Sequence, residues 1–320
     1  MTITAQPLNA HPIAPRYTGV IPPVVTPLTA DREVDVRSLE RLVAHLLTAG
    51  CSGLFPLGSS GETVFLTDRQ RDQVLDVVVR TAAGQVPVLA GSIETTTPRV
   101  IDRVRAAEKL SADAVVITAP FYALVGAHEI DRHFRAVRAA TGLPVLAYDI
   151  PVCVHTKLTN DLLVELARDG VIDGVKDSSG DDVAFRKLVL TLTDLGLTGF
   201  SALTGHEVVV DGMLLGGADG SVPGLANVDP AGYVRLHAMA AAGDWTGAAA
   251  QQNRLTQLFK IVDAADPATT FGATRGVGAF KTALMLLGII DSNQVSLPMR
   301  ALDDSESKKV RVHLEAVGLL

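Results

Sequence analysis

Short runs of β-branched and other apolar residues alternate along the chain with longer stretches whose apolar positions recur at helical spacing. The runs occupy residues 19–26, 53–58, 87–92, 114–120, 144–150, 172–177, 200–205 and 220–224, eight in all. Such short apolar runs, bounded by glycine and proline, suit strands buried on both faces. Between them, residues 35–49 bring Leu39, Leu42, Val43, Leu46 and Leu47 to one helical face, and 67–81 opens on the capping signal Thr67-Asp68. Similar helical patterns fill 97–110, 129–140, 160–168, 182–195, 207–215 and 230–242. One helix therefore follows each strand, the order that builds βαβ units on a parallel sheet. Eight such units predict an α/β fold, a (β/α)₈ TIM barrel over residues 17–243. Beyond Gly243 the strand pattern stops. Helical patterns at 245–263, 277–287 and 305–317 predict a three-helix C-terminal extension over 244–320, and 1–16 is expected to be a flexible leader.

An open doubly wound sheet would need a glycine-rich turn after its first strand, and Pro22-Pro23-Val24-Val25-Thr26-Pro27 has no glycine. Gly276-Val277-Gly278 runs into Ala279-Phe280-Lys281 and completes neither a dinucleotide fingerprint nor a P-loop. With 320 residues, 48% hydrophobic and 20% charged, the chain can bury a large core. Its formal net charge of -7 gives no basic footprint, so no nucleic-acid partner is expected. No apolar run approaches the ~18 residues of a spanning helix, and the leader lacks the features of a signal peptide. A cytoplasmic protein with no membrane partner is the expectation. The two cysteines, Cys51 and Cys153, have no histidine at zinc-like spacing, so free thiols and no metal are expected.

In a barrel of this kind the active site is built where strands end. That rule selects Ser59-Ser60-Gly61-Glu62, Phe121-Tyr122, Tyr148-Asp149-Ile150-Pro151, Lys176-Asp177-Ser178-Ser179, Gly205-His206-Glu207 and Gly220-Ser221. It places Cys51 at the opposite end of the barrel from Cys153. Lys176 would emerge in an apolar interior, where desolvation disfavours its charge. At the ordinary lysine pKa of ~10.4 about one amine in a thousand is a free base at neutral pH, and a fall to neutrality would cost about 4 kcal/mol. Such an amine is competent to form an imine. From position alone, a lysine snorkelling out to Asp177 stands level with that reading. Tyr148 and Tyr122, two of four tyrosines, fall at strand ends where a phenol relays protons or merely lids the core. Ser59-Ser60-Gly61 has the make-up of an anion cradle and equally of a plain loop, with Glu62 as a structural partner of that loop. His206-Glu207 lacks a second histidine four residues on, so it reads as a polar pair opening a helix and reaching substrate rather than as a zinc site.

Together, Gly58-Ser59-Ser60-Gly61-Glu62, Tyr148-Asp149-Ile150-Pro151 and the stretch from Gly174-Val175-Lys176 to Gly180-Asp181 resemble the dihydrodipicolinate synthase / N-acetylneuraminate lyase family. The resemblance runs from Gly19 to Leu320 and includes Leu225-Ala226-Asn227-Val228 and Pro298-Met299-Arg300. It implies a class I lyase or aldolase in which Lys176 forms an imine with pyruvate or a 2-oxo acid, and no cofactor. Ser59 and Ser60 would hold the carboxylate and Tyr148 would shuttle the proton. Gly205 and Ser221 would line the imine pocket, and Ser178, His206 and Glu207 would meet substrate hydroxyls. Tyr122 matches a tyrosine that reaches a neighbouring subunit's site, which implies a homo-oligomer, dimer or tetramer, built of tight dimers.

Three positions depart from the family's patterns. Ser60 stands where threonine is usual. Cys153 stands where dihydrodipicolinate synthases carry a carboxylate-gripping arginine. His206-Glu207-Val208 replaces the Tyr-Asp-Glu of neuraminate lyases. The resemblance is then best to the branches that act on 2-oxo-3-deoxy sugar acids such as 2-keto-3-deoxygluconate. Dihydrodipicolinate synthesis, a sugar-acid dehydratase using the same imine, and a non-catalytic 2-oxo acid sensor are the alternatives.

Overall fold

The computed structural model describes residues 16–320, so the expected leader lies outside the described residues except for Arg16. Seven parallel strands form one curled sheet: β1 (Gly19–Val20), β2 (Leu89–Gly91), β3 (Ala114–Thr118), β4 (Val145–Asp149), β5 (Gly174–Asp177), β6 (Ser201–Thr204) and β7 (Gly220–Ser221). Their order across the sheet is β1-β7-β6-β5-β4-β3-β2.

The run at 53–58 does not form the eighth regular strand expected of it. It contributes a single parallel bridge, Leu54 to Val88. Pro56 has no N–H to give to a ladder, and Leu57 at φ +61 turns the chain out of the extended conformation. The segment still bonds to both sides. The Phe55 N–H reaches the Pro22 carbonyl at 2.9 Å, and the Leu54 N–H reaches the Pro87 carbonyl at 3.0 Å. Pro22, Pro23 and Pro27 likewise hold β1 to two residues, although its run was expected to extend to Thr26.

Helices alternate with the strands: α1 (Val36–Thr48), α2 (Asp68–Ala82), α3 (Thr97–Lys109), α4 (Ala127–Arg138), α5 (Pro151–Val154), α6 (Asn160–Arg168), α7 (Asp182–Asp194), α8 (Val210–Leu215) and α9 (Pro230–Ala241). Helix α1 starts where the Asp35 carboxylate accepts the Ser38 N–H at 3.1 Å, and it buries Leu39, Leu42, Val43 and Leu46. Thr67 and Gln70 form a capping box at α2. One expectation needs amending: β4 is followed by two helices, because Pro151 opens the single turn α5 before the chain reaches α6. The extension comprises α10 (Trp245–Phe259), α11 (Ala273–Leu286) and α12 (Asp304–Ala316). Among the described residues no helix is long and apolar enough to cross a membrane.

Strand periodicity sorts the core into two layers. Val115 and Ile117 of β3, Val145 and Ala147 of β4, and Val175 of β5 pack in the large cluster that also holds the helix faces. Ala114, Val116, Leu146 and Tyr148 pack in a second cluster with Ile21, Phe55 and Leu203, on the inner side of the sheet. Tyr148 and Lys176 are direct neighbours across the β4–β5 ladder. Each is one residue beyond an outward side chain, so both project inward.

Candidate active site

At the C-terminal ends of β4, β5 and β6 lies a cleft of about 570 Å³, lined by Ser59, Ser60, Tyr148, Cys153, Lys176, Ser178, Gly205 and Glu207, with Phe271 and Met299 supplied by the extension. Lys176 is 5% exposed, and its Nζ donates to the Tyr148 hydroxyl at 3.2 Å. The ammonium sits 4.2 Å from the Tyr148 ring centroid and 4.8 Å from that of Phe55. Phe55 meets Tyr148 edge-on, with centroids 6.0 Å apart, and so fixes the phenol ring. The Tyr148 hydroxyl lies 3.5 Å from Ser59 Oγ, which gives a chain of exchangeable protons running Lys176, Tyr148, Ser59.

Lys176 does not snorkel to Asp177. The Asp177 carboxylate faces Lys157, whose Nζ is 3.6 Å away, and accepts the Ser179 N–H at 2.7 Å. Lys157 also pairs with Asp149. The acids of the Tyr-Asp and Lys-Asp dipeptides thus bind one outer lysine, while Tyr148 and Lys176 share the inner face.

The loop carrying Ser59 and Ser60 is held at its far end. Thr26 donates to the Gly61 carbonyl at 2.8 Å, and the Glu62 N–H reaches the Ser59 carbonyl at 3.1 Å. A Cβ on Gly61 would stand 3.0 Å from both the Leu57 nitrogen and the Val24 oxygen, so any larger residue would push the loop outward by a few tenths of an ångström. Glu62, expected to be a partner of its own loop, adopts φ +62 and reaches the extension instead. Its carboxylate accepts the Ser296 N–H at 2.7 Å and forms a fully buried ion pair with Lys281 of α11. Lys281 also donates to the Gln294 carbonyl at 2.8 Å. Burial pulls the Lys281 ammonium below the ordinary lysine range, and Glu62 opposes that. Sequence reasoning missed Lys281, although a lysine on the apolar stripe of Val277, Phe280 and Leu284 was a usable signal.

Glu207 stands half-buried at the cleft, where its two carboxylate oxygens accept the Gly224 N–H at 2.9 Å and the Leu225 N–H at 3.0 Å. Burial pushes its acid up to about 7, against the lowering pull of those two amides and of Lys176. Gly205 leaves room for the site: a Cβ there would force Ser178 Oγ, which it would meet at 2.0 Å, to turn away, and would crowd the Lys176 Cε at 3.2 Å. Three expected site residues lie elsewhere. Ser221 turns outward, with Oγ 2.8 Å from His237 Nε2. The His206 ring bonds Asp182 at 3.1 Å. Tyr122, at φ +75 and 94% exposed, stands outside the cleft of its own chain.

The dihydrodipicolinate synthetase family profile matches residues 16–317. The chain is 32% identical over 311 residues to a 4-hydroxy-tetrahydrodipicolinate synthase of Phenylobacterium zucineum, covering 96% of this chain and 100% of that one. It is 33% identical over 319 residues to an uncharacterised DapA-like lyase of Halobacterium salinarum, covering 99% and 97% respectively. The fold superimposes with a TM-score of 0.89, at 29% identity, on YagE, a prophage protein of the dihydrodipicolinic acid synthase family from Escherichia coli K12, solved in complex with pyruvate. That alignment covers 95% of this chain and 100% of YagE. By sequence and by fold the chain belongs to the dihydrodipicolinate synthetase family, and it is a class I lyase or aldolase that works through a Schiff base.

Proposed function

We propose that Lys176 attacks the ketone of a 2-oxo acid and that the enzyme cleaves, or in reverse forms, a 2-oxo-3-deoxy sugar acid with release of pyruvate. The observation that carries the reading is the buried Lys176 amine held 3.2 Å from the Tyr148 hydroxyl, with Ser59 next in the chain. Attack of the amine on the ketone carbon and loss of water give a protonated imine. Ser59 and Ser60 hold the carboxylate. Tyr148 takes the proton of the C4 hydroxyl, the C3–C4 bond breaks, and its electron pair flows into the iminium as the aldehyde leaves. Protonation of the enamine at C3 and hydrolysis release pyruvate and regenerate Lys176.

We read the curled sheet as a closed (β/α)₈ barrel, supported by the bonds from Phe55 to Pro22 and from Leu54 to Pro87, which join the segment to the chain beside β1 and β2. An uncharged second half of the substrate is favoured by Cys153, whose neutral thiol is a weak donor where an arginine would grip a carboxylate. Ser178 and Glu207 lie in the cleft to meet its hydroxyls. The similarity to 4-hydroxy-tetrahydrodipicolinate synthases favours a second reading, condensation of pyruvate with aspartate semialdehyde. Borohydride added with pyruvate is expected to fix a three-carbon adduct on Lys176, mapped by peptide mass. An adduct on another lysine, or none from any 2-oxo acid with the fold intact, would sink the mechanism. Pyruvate release from a 2-oxo-3-deoxy acid, assayed beside the semialdehyde condensation, separates the two substrate readings.

A further inference from the structure

Asp149 and Asp177 are direct neighbours across the β4–β5 ladder, each one residue beyond Tyr148 or Lys176 and so on the outer face of the sheet. Both are buried, Asp149 fully and Asp177 at 6% exposure. Among the described residues the one cation paired with either is Lys157, which reaches both. Two carboxylates side by side and out of water repel, and a cation between them lets both stay ionised. Burial holds the Asp149 acid above its ordinary range in spite of Lys157. The Leu158 N–H donates to the second Asp149 oxygen at 3.1 Å, so residues 149–158 close into a loop, and that loop carries Ile150, Val152 and Cys153 of the cleft wall. Backbone bonds tie the same two acids to the neighbouring strand ends. The Ser178 N–H reaches the Asp149 carbonyl at 2.8 Å, and the Gly205 N–H reaches the Asp177 carbonyl at 2.6 Å.

We propose that Lys157 is a positioning residue: by pinning Asp149 and Asp177 together from outside the sheet, it holds the Tyr148 hydroxyl within proton-transfer distance of the Lys176 amine. The proposal rests on the imine reading of Lys176 given above. Each acid shares a planar peptide unit with the inner residue before it, so a strand end that swings outward carries both. The Lys176 amine and the Tyr148 hydroxyl stand 3.2 Å apart, and a hydrogen bond is lost by about 3.6 Å. A separation of a few tenths of an ångström between the strand ends is therefore enough to break the relay. Ser59 and Ser60 hang instead on the loop that Thr26 and Glu62 hold, away from this clamp. Loss of the Lys157 charge should then act on proton transfer and spare the binding of pyruvate.

The test compares Lys157→Met with Lys157→Arg in the exchange of pyruvate methyl protons for solvent deuterium, a reaction that needs the imine and its enamine but no aldehyde. Rates are expressed per site counted by borohydride trapping of pyruvate, so that unfolded chains drop out. Lys157→Met is expected to lower the rate per site roughly ten- to a hundred-fold while the KM for pyruvate changes by less than about three-fold. It should also add a step to the pH profile. The facing carboxylates then share one proton, held at low pH and lost as the pH rises, so the rate per site falls on raising the pH through a step that the unsubstituted enzyme lacks. Lys157→Arg keeps the charge, on a fork that can reach two carboxylates, and should stay within about three-fold of the unsubstituted rate with no added step. An unchanged rate and pH profile in Lys157→Met overturns the proposal, and so does an equal loss in Lys157→Arg or a KM that rises as far as the rate falls. Should Lys157→Met give no trappable sites, Asp177→Asn decides in its place, because its amide oxygen still accepts the Ser179 N–H and Lys157 keeps Asp149. A fall in its rate per site at constant KM supports the proposal, and an unchanged rate overturns it. Failure of trapping on the unsubstituted enzyme would remove the imine reading itself, a result distinct from any of these.

Discussion

Among the described residues the Lys176 ammonium has one hydrogen-bond partner, the Tyr148 hydroxyl. The phenol is the only link from that amine to Ser59, and its ring is held independently of the hydroxyl by the edge of Phe55. Tyr148→Phe therefore removes the relay and keeps the packing. We expect kcat to fall by roughly 10²–10⁴, the contribution of a positioned proton-transfer group, with thermal stability changed by no more than about 1 kcal/mol. Pyruvate-release kinetics and thermal unfolding of the variant measure the two. Turnover at the unsubstituted rate would take Tyr148 out of the relay. The same residues show what the sequence discloses at this scale. Tyr148 and Lys176 were legible because each ends an apolar run, where period two and the strand-end rule act together. Ser221 was misread by one position: Val222 is the inward side chain, and in a strand one residue reverses the face. His206 follows the end of β6, where strand period no longer governs direction, and it turns to Asp182 at the start of α7.

At the scale of elements, the C-terminal extension works on the cleft through α11. Its Lys281 and the Ser296 backbone together hold Glu62, and Glu62 ends the loop that presents Ser59 and Ser60. Replacing such a pair by apolar groups is often neutral, whereas removing one partner leaves a buried charge and costs about 3–5 kcal/mol. Lys281→Met is expected to lose stability of that order and to raise the KM for pyruvate more than it lowers kcat, because the carboxylate cradle loosens while Lys176 and Tyr148 stay in the sheet. The double variant Glu62→Gln with Lys281→Met should regain most of the stability, since the introduced amide carries no charge and its oxygen still accepts the Ser296 N–H. Denaturant titration beside a pyruvate saturation curve checks this, and a KM indifferent to Lys281→Met would limit the pair to a structural role. Helices of the extension were legible from apolar spacing alone. The ion pair was not, because it joins residues 62 and 281, and helical spacing speaks only of neighbours in the chain. The missing regular strand at 53–58 has a local cause, since Pro56 and the turn at Leu57 break a run that hydrophobicity alone marks as extended.

Taken as a whole molecule, the chain leaves one side of its cleft apolar. Val64 and Phe65, 52% and 40% exposed, share a cavity beside the cleft with Phe121 and Cys153, the chain neighbours of Tyr122 and Val152; Tyr122, Leu124 and Val152 are 94%, 59% and 79% exposed. Exposed apolar side chains at adjoining positions are the usual mark of an association surface, and this face is expected to be one. A stable interface needs about 800 Å² from each partner, and its binding energy concentrates in a few aromatic and aliphatic anchors. The resemblance drawn from the sequence implies that in such a pair Tyr122 of each chain reaches towards the cleft of the other. Sedimentation at micromolar concentration is therefore expected to show a dimer or a multiple of it. Tyr122→Asp and Leu124→Asp place charge at the anchors, and each should weaken association by about 2 kcal/mol or more, roughly thirty-fold in Kd. If the pairing also completes the site, pyruvate release per chain falls with dissociation and returns on raising the protein concentration. A monomer with full activity at all concentrations would show that each cleft is complete by itself, and Tyr122 would then have no part in the chemistry.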